Sequence, residues 1–197
     1  MSEKKKFTLY AGSVTLCVCT AVLLHYVSVA DPYLESACRL LRPFIYIGLY
    51  LVWAISFQKR IIQKEPRRCL IMVAVMMVFW MLVRMCKFEI PYEMPTALRY
   101  AWYLYYIPMI LIPTLGLNAA LLMDKEEGEN TKKQSACLII PALCLIFAVL
   151  TNDLHQKVFY FPKGFFFSNE VYEYRFIFIL IQIWMMLCLM IMEVVLM

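Results

Sequence analysis

The stretch CLIIPALCLIFAVLTNDLHQKVFYFP (137–162) joins two unlike halves. Residues 137–150 are apolar without interruption. Residues 151–156 then set Thr, Asn, Asp, His and Gln around a single Leu. This suits a helix that crosses a bilayer and keeps its polar groups at one membrane surface, because a polar side chain at mid-depth is costly without a partner.

The rest of the chain fits a membrane. Hydrophobic residues make up 63% of the 197 and charged residues 17%, with mean hydropathy +0.71. Soluble domains are about 45–50% apolar and about 25% charged. Apolar runs recur that can span a hydrocarbon core of about 30 Å at about 1.5 Å per residue. The fold class is all-α, a polytopic membrane helix bundle. Six spans are expected, over 7–30, 43–57, 69–86, 100–123, 135–152 and 176–197, forming a single transmembrane domain over 1–197. Breakers support these cuts. Asp31-Pro32 closes the first span, Pro43 suits the first turn of the second, Pro66 precedes the third, and Pro91 and Pro95 lie in the link to the fourth. No internal repeat or low-complexity tract interrupts the pattern. Five glycines are too few for Gly-to-Gly crossings to be the main packing device.

Lys4, Lys5, Lys6 and the SVA at 28–30 mimic a signal peptide, but the apolar stretch exceeds the usual ~7–15-residue core, so a retained helix is expected. With a cytoplasmic N-terminus, the basic residues at 4–6, 59–68 and 125–133 fall inside and outnumber those outside. LTNDLHQ then lies at the outer face. The net charge of +5 reflects topology and anionic headgroups, not a nucleic-acid partner. Seven of the eight cysteines fall in or at the ends of spans as small apolar residues, with Cys38 alone in an outer loop. No CxxC or zinc spacing occurs, so no disulfide, metal or cofactor is expected. No phosphate-cradling Gly loop, Ser/His/Asp set or HExxH appears, and the chain is not expected to be an enzyme.

The polar residues carry the functional question. On a continuing helix Asn152, His155 and Gln156 share one face, or Thr151 or Asn152 ends the helix in a turn. They form either an interfacial cap beside the FYF anchor or a polar site whose histidine changes charge between about pH 5 and 8. Arg84, near the end of the third span, needs a partner or snorkels. Asp153 is the candidate, with Glu89 and Glu93 as rivals. Arg99, Trp102, Tyr103, Tyr105 and Tyr106 open the fourth span. They form an interfacial belt, or Trp102, Tyr105 and Tyr106 wall a pocket in which Arg99 meets an anion. Pro108 and Pro113 invite a kink below it. His25 reads as structural, and two lone histidines are too thin a basis for haem. Asn118 reads as an interhelical bond, Glu193 as interfacial, and the Met-rich runs as packing rather than a copper path.

Three stretches together, MMVFWMLVRMCKF (76–88), RYAWYLYYIPMILIP (99–113) and LTNDLHQKVFYFP (150–162), resemble the N-terminal multi-helix sensor region of bacterial membrane histidine kinases, the seven-transmembrane type. The most specific element is Thr151-Asn152-x-x-His155 with Phe159. Trp102-Tyr103-x-Tyr105-Tyr106-x-Pro108 follows. The resemblance implies a multi-pass protein of the bacterial cytoplasmic membrane that senses an outer or intramembrane stimulus for a kinase or output module, in cis or in trans. A homodimer is a further expectation. The 197 residues hold neither a phosphoacceptor-histidine helix nor an ATP-binding domain, so a fragment, a remnant or a stand-alone sensor truncated after the sixth helix is expected. The candidates for a ligand site or polar core are Asn152, His155, Asp153, Arg84, Arg99, Trp102, Tyr105 and Tyr106. The rival functions are a small transporter or channel subunit, or the membrane anchor of an enzyme. The apolar mid-depth of the spans argues against a transport path.

Overall fold

The computed structural model describes residues 3–30, 32–61, 63–89, 94–123, 131–162 and 172–197. The described residues form α1 (Glu3–Ala30), α2 (Pro32–Arg60), α3 (Lys64–Glu89), α4 (Pro95–Met123), α5 (Thr131–Leu150), the single turn α6 (Asn152–His155), β1 (Phe159–Tyr160), β2 (Glu173–Tyr174) and α7 (Phe176–Leu196). It is an all-α membrane bundle with one two-stranded clasp. Four helices are long and apolar enough to cross a bilayer, over Lys64–Lys87, Thr96–Met123, Lys133–Leu150 and Phe176–Leu196. Shorter apolar stretches cover Gly12–Tyr26 and Leu41–Ser56.

Most helices outrun the spans read from hydropathy, because helical backbone continues through the polar interface where apolar character stops. Two expectations change. Pro43 lies well inside α2 rather than in its first turn, a place taken by Pro32. Cys38, expected in a loop, is buried within the same helix. Both follow from α2 starting about three turns before its apolar run.

The chain divides into two compact units, Met1–Trp53 and Ala54–Met197. In the first, Arg42 Nη1 donates to His25 Nδ1 at 2.9 Å, and Ala21 and Cys38 are buried.

In the second unit α4 is the axle, the most buried of the four long spans. It packs against α3, α5 and α7. Asn118 Nδ2 donates to Cys69 Sγ at 3.3 Å, while Tyr105 meets Trp80 edge-on, so α3 and α4 are antiparallel. Ser135 donates to Asn118 Oδ1 at 3.0 Å, and α5 is antiparallel to α4 as well. Along α7, Phe178 faces Tyr106 and Trp184 Nε1 donates to Thr114 Oγ1 at 3.0 Å. These two helices are parallel. A Cβ on Gly116 would stand 3.2 Å from Met192 Sδ, so the missing side chain admits α7 closely at this one point. Pro108 and Pro113 are absorbed in one continuous helix. Thr114, fully buried, donates to Ile110 O at 2.8 Å beside the second proline.

Candidate functional site

The end of α3, the start of α4, the end of α5, and the start of α7 meet at one end of the second unit. The chain 150–162 makes the join. Thr151 closes α5: its N–H bonds Phe147 O at 3.0 Å and its hydroxyl donates to the same carbonyl at 2.7 Å. The hydroxyl thereby occupies a carbonyl near the helix end, where partners run out. One turn follows, and Gln156 adopts φ 47°, ψ 36°, with its N–H on Asn152 O at 2.7 Å. This left-handed residue turns the chain out of the helix and into β1.

Asn152 is the centre of the join and is fully buried. Its Oδ1 accepts from the N–H groups of Val158 and Phe159, both at 3.0 Å. Its Nδ2 donates to Phe159 O at 3.0 Å and to Tyr103 Oη at 3.2 Å. An amide has two donors and two acceptor positions, and all four are used. The two backbone donors on Oδ1 also fix which end of the amide is oxygen. Asn152 therefore acts toward residues 158–159 as a short strand would.

Tyr103, also fully buried, passes the network on. Its hydroxyl donates to Asp153 Oδ1 at 2.7 Å. Asp153 Oδ2 accepts from Arg99 Nη2 at 2.8 Å and Nε at 3.2 Å. The side chains of Arg99 and Asp153 are only 7% and 19% exposed, so each charge relies on the other rather than on water. Asp153, considered above as the partner of Arg84, is thus taken by Arg99 from α4. Arg84 is exposed near the end of α3. The rival side chains Glu89 and Glu93 lie outside the described residues.

His155 is half-buried and bonded on both ring nitrogens. Lys157 N–H donates to Nδ1 at 3.0 Å, and Nε2 lies 3.1 Å from Ala148 O. An N–H donor requires a bare Nδ1 and a carbonyl requires a proton on Nε2, so the ring is the neutral Nε2–H tautomer. Asn152 and His155 share the turn but not a face: the amide points into the core, while the imidazole folds back on α5.

Beyond the polar network lies an aromatic cluster centred on Phe159, itself fully buried. Its ring centroid is 4.3 Å from Trp102, 5.2 Å from Tyr106 and 5.9 Å from Phe178. β1 pairs with β2 antiparallel, Phe159 opposite Tyr174, and Tyr174 stacks on Phe178 at 3.9 Å. Tyr172 lies against Trp102 at 4.8 Å. Its hydroxyl bonds that of Tyr174 at 3.2 Å. That bond and desolvation push its pKa up to about 12, so the group stays neutral at physiological pH. On the outer face of the strands the Arg175 guanidinium sits 4.4 Å from the Tyr160 ring centroid.

Trp102 and Tyr106 thus enter one filled cluster, whereas Tyr105 turns to α3 and meets Trp80 at 5.2 Å. The three do not form a common wall. Tyr103, Tyr172 and Tyr174 matter more to the join than the sequence suggested. Tyr103 had a legible signal, since it stands four residues from Arg99 on the same helical face. Tyr172 and Tyr174 had none, because their place depends on strand pairing between segments distant in sequence.

Residues 43–197 match the family described as the N-terminal 7TM region of histidine kinase. No curated protein and no solved structure matches the chain.

Proposed function

The chain belongs to the family of N-terminal 7TM regions of histidine kinases, a membrane sensor region, and we propose that its polar join is where a stimulus at the outer face is received. One observation supports this reading. Asn152, Tyr103, Asp153 and Arg99 form a continuous bonded chain from α4 to the turn after α5, and Phe159, on the same segment, touches the first turn of α7. A change in this segment alters the packing of three helices together. Response takes the form of a population shift between two packings, with the stimulus favouring one by differential contacts. The signal passes to a kinase or output module on the cytoplasmic side, through α7 and the helices it packs on.

The test is a chain carrying a histidine-kinase module in cis, assayed for autophosphorylation in membrane vesicles. His155→Ala removes the brace from Lys157 N–H to α5 and is expected to abolish signalling while the protein still inserts. Signalling equal to the parent would remove His155 from this role.

A further inference from the structure

The charges at this end of the second unit are not all neutralised in the same way. Arg99 is held by Asp153, and Arg175 Nη2 lies 3.6 Å from Glu173. Arg84 and Lys87 differ. They stand three residues apart on one face of α3, at the end of the span Lys64–Lys87. Arg84 is exposed and Lys87 half-buried. Each lies within the field of the other. Among the described residues the ion pairs are Arg68–Glu65, Arg99–Asp153 and Arg175–Glu173, and neither Arg84 nor Lys87 takes part in them. Like charges at this spacing repel. The carbonyls at the end of α3 offset only part of that.

Trp80 lies on the same face, one turn inward from Arg84 and two from Lys87. Tyr105 holds its ring edge-on, and the Trp80 Nε1 is buried with no hydrogen-bond partner among the described residues. The indole packs against α4, and the two cations beyond it stand at the end of an apolar span, where a bilayer places its headgroups. We propose that Arg84 and Lys87 together bind the phosphate of an anionic phospholipid headgroup. The bilayer is the source favoured here, because the two cations close an apolar span and Lys87 is partly desolvated, so the anion must come to them at membrane depth. One phosphate between the two turns their repulsion into attraction.

The test incubates the full chain in detergent with vesicles of phosphatidylcholine and phosphatidylglycerol, isolates the protein, and counts retained lipids by mass spectrometry. Wild type is expected to enrich phosphatidylglycerol. Each basic residue near an anionic surface contributes about fivefold, so Arg84→Gln/Lys87→Gln should lower the enrichment by roughly twenty-five-fold. Arg84→Lys should keep most of it. Lys157→Gln, an exposed cation on the neighbouring turn, should change nothing. The proposal is overturned by equal enrichment in the double variant, by retention of the two lipids in proportion to supply, or by an equal loss in Lys157→Gln, which would mean a diffuse field. Abolition by millimolar-range inorganic phosphate would assign the site to free phosphate and also overturn it. Circular dichroism of the double variant must match wild type. Should it not, Arg84→Gln alone gives the same comparison with a smaller expected fall of about fivefold.

Discussion

Replacing Asn152 by Ala deletes the side chain whose hydrogen bonds hold residues 158–159 to the turn after α5. The methyl group cannot accept from the Val158 and Phe159 N–H groups, and both residues are fully buried. Each stranded donor costs about 1–3 kcal/mol, so the two together cost about 2–6 kcal/mol. Phe159 O loses a donor but keeps a second lone pair, and Tyr103 keeps its bond to Asp153, so neither adds much. Polar bonds inside a bilayer average nearer 0.6 kcal/mol, which draws the expectation to the lower half, about 3 kcal/mol. Two assays read it. Reversible unfolding in mixed micelles should show the loss against wild type. Native-state hydrogen exchange should accelerate at the Val158 and Phe159 amides by roughly a hundredfold, the equivalent of that energy. A loss below about 1 kcal/mol with both amides still protected would refute the reasoning. It would mean that water or another acceptor fills the space left by the amide.

The Arg99–Asp153 pair should behave as a coupled unit: Arg99→Met or Asp153→Leu alone should cost about 3–5 kcal/mol, while the double variant costs clearly less than the sum of the two, as measured by a double-mutant cycle in the same micelles. Additive losses would show that the two charges are not coupled. Nitrogen NMR of His155 should report a bare Nδ1 and a protonated Nε2 at neutral pH, and the opposite tautomer would contradict the bonds to Lys157 and Ala148. Thr114→Val removes the acceptor of Trp184 Nε1 and should cost about 0.6 kcal/mol and no more than about 1.7. Unfolding midpoints check the size, and Trp184 emission should shift as its indole loses that bond.

How far the sequence discloses the protein depends on the range of the interaction. Span positions are local, since apolar length decides them, and they stand to within a few turns. The turn at Thr151 was legible for the same reason, because a hydroxyl and an amide at the end of an apolar helix compete with its backbone. The importance of Asn152 was also visible, but the form of its role was not. Three of its four bonds go to residues 158–159, beyond a left-handed Gln156 that nothing in the composition marks. Asp153 was within reach of two arginines by depth alone. Depth puts Arg84 and Arg99 at the same end, and only the rotation of each helix about its axis separates them. Arg99 shares a face with the buried Tyr103, whereas Arg84 points outward. Rotation is set by packing with neighbours, so a pattern within one helix cannot supply it.

The axle helix α4 is tied near both extremities and between them. Arg99 and Tyr103 hold one extremity to the turn after α5, Asn118 ties the other to Cys69 and Ser135, and Thr114 fastens the middle to Trp184. These bonds are 2.7–3.3 Å long, so a piston stroke of even an ångström or two along the axis would break all three fastenings together. A shaft held in this way has cheaper freedoms left. It can bow between its fastenings, where Pro108 and Pro113 have already removed two rungs of the backbone ladder, or it can twist a few degrees about its length. Against α7, either movement would act sideways rather than lengthwise, and it would cost less than a stroke that parts all three fastenings.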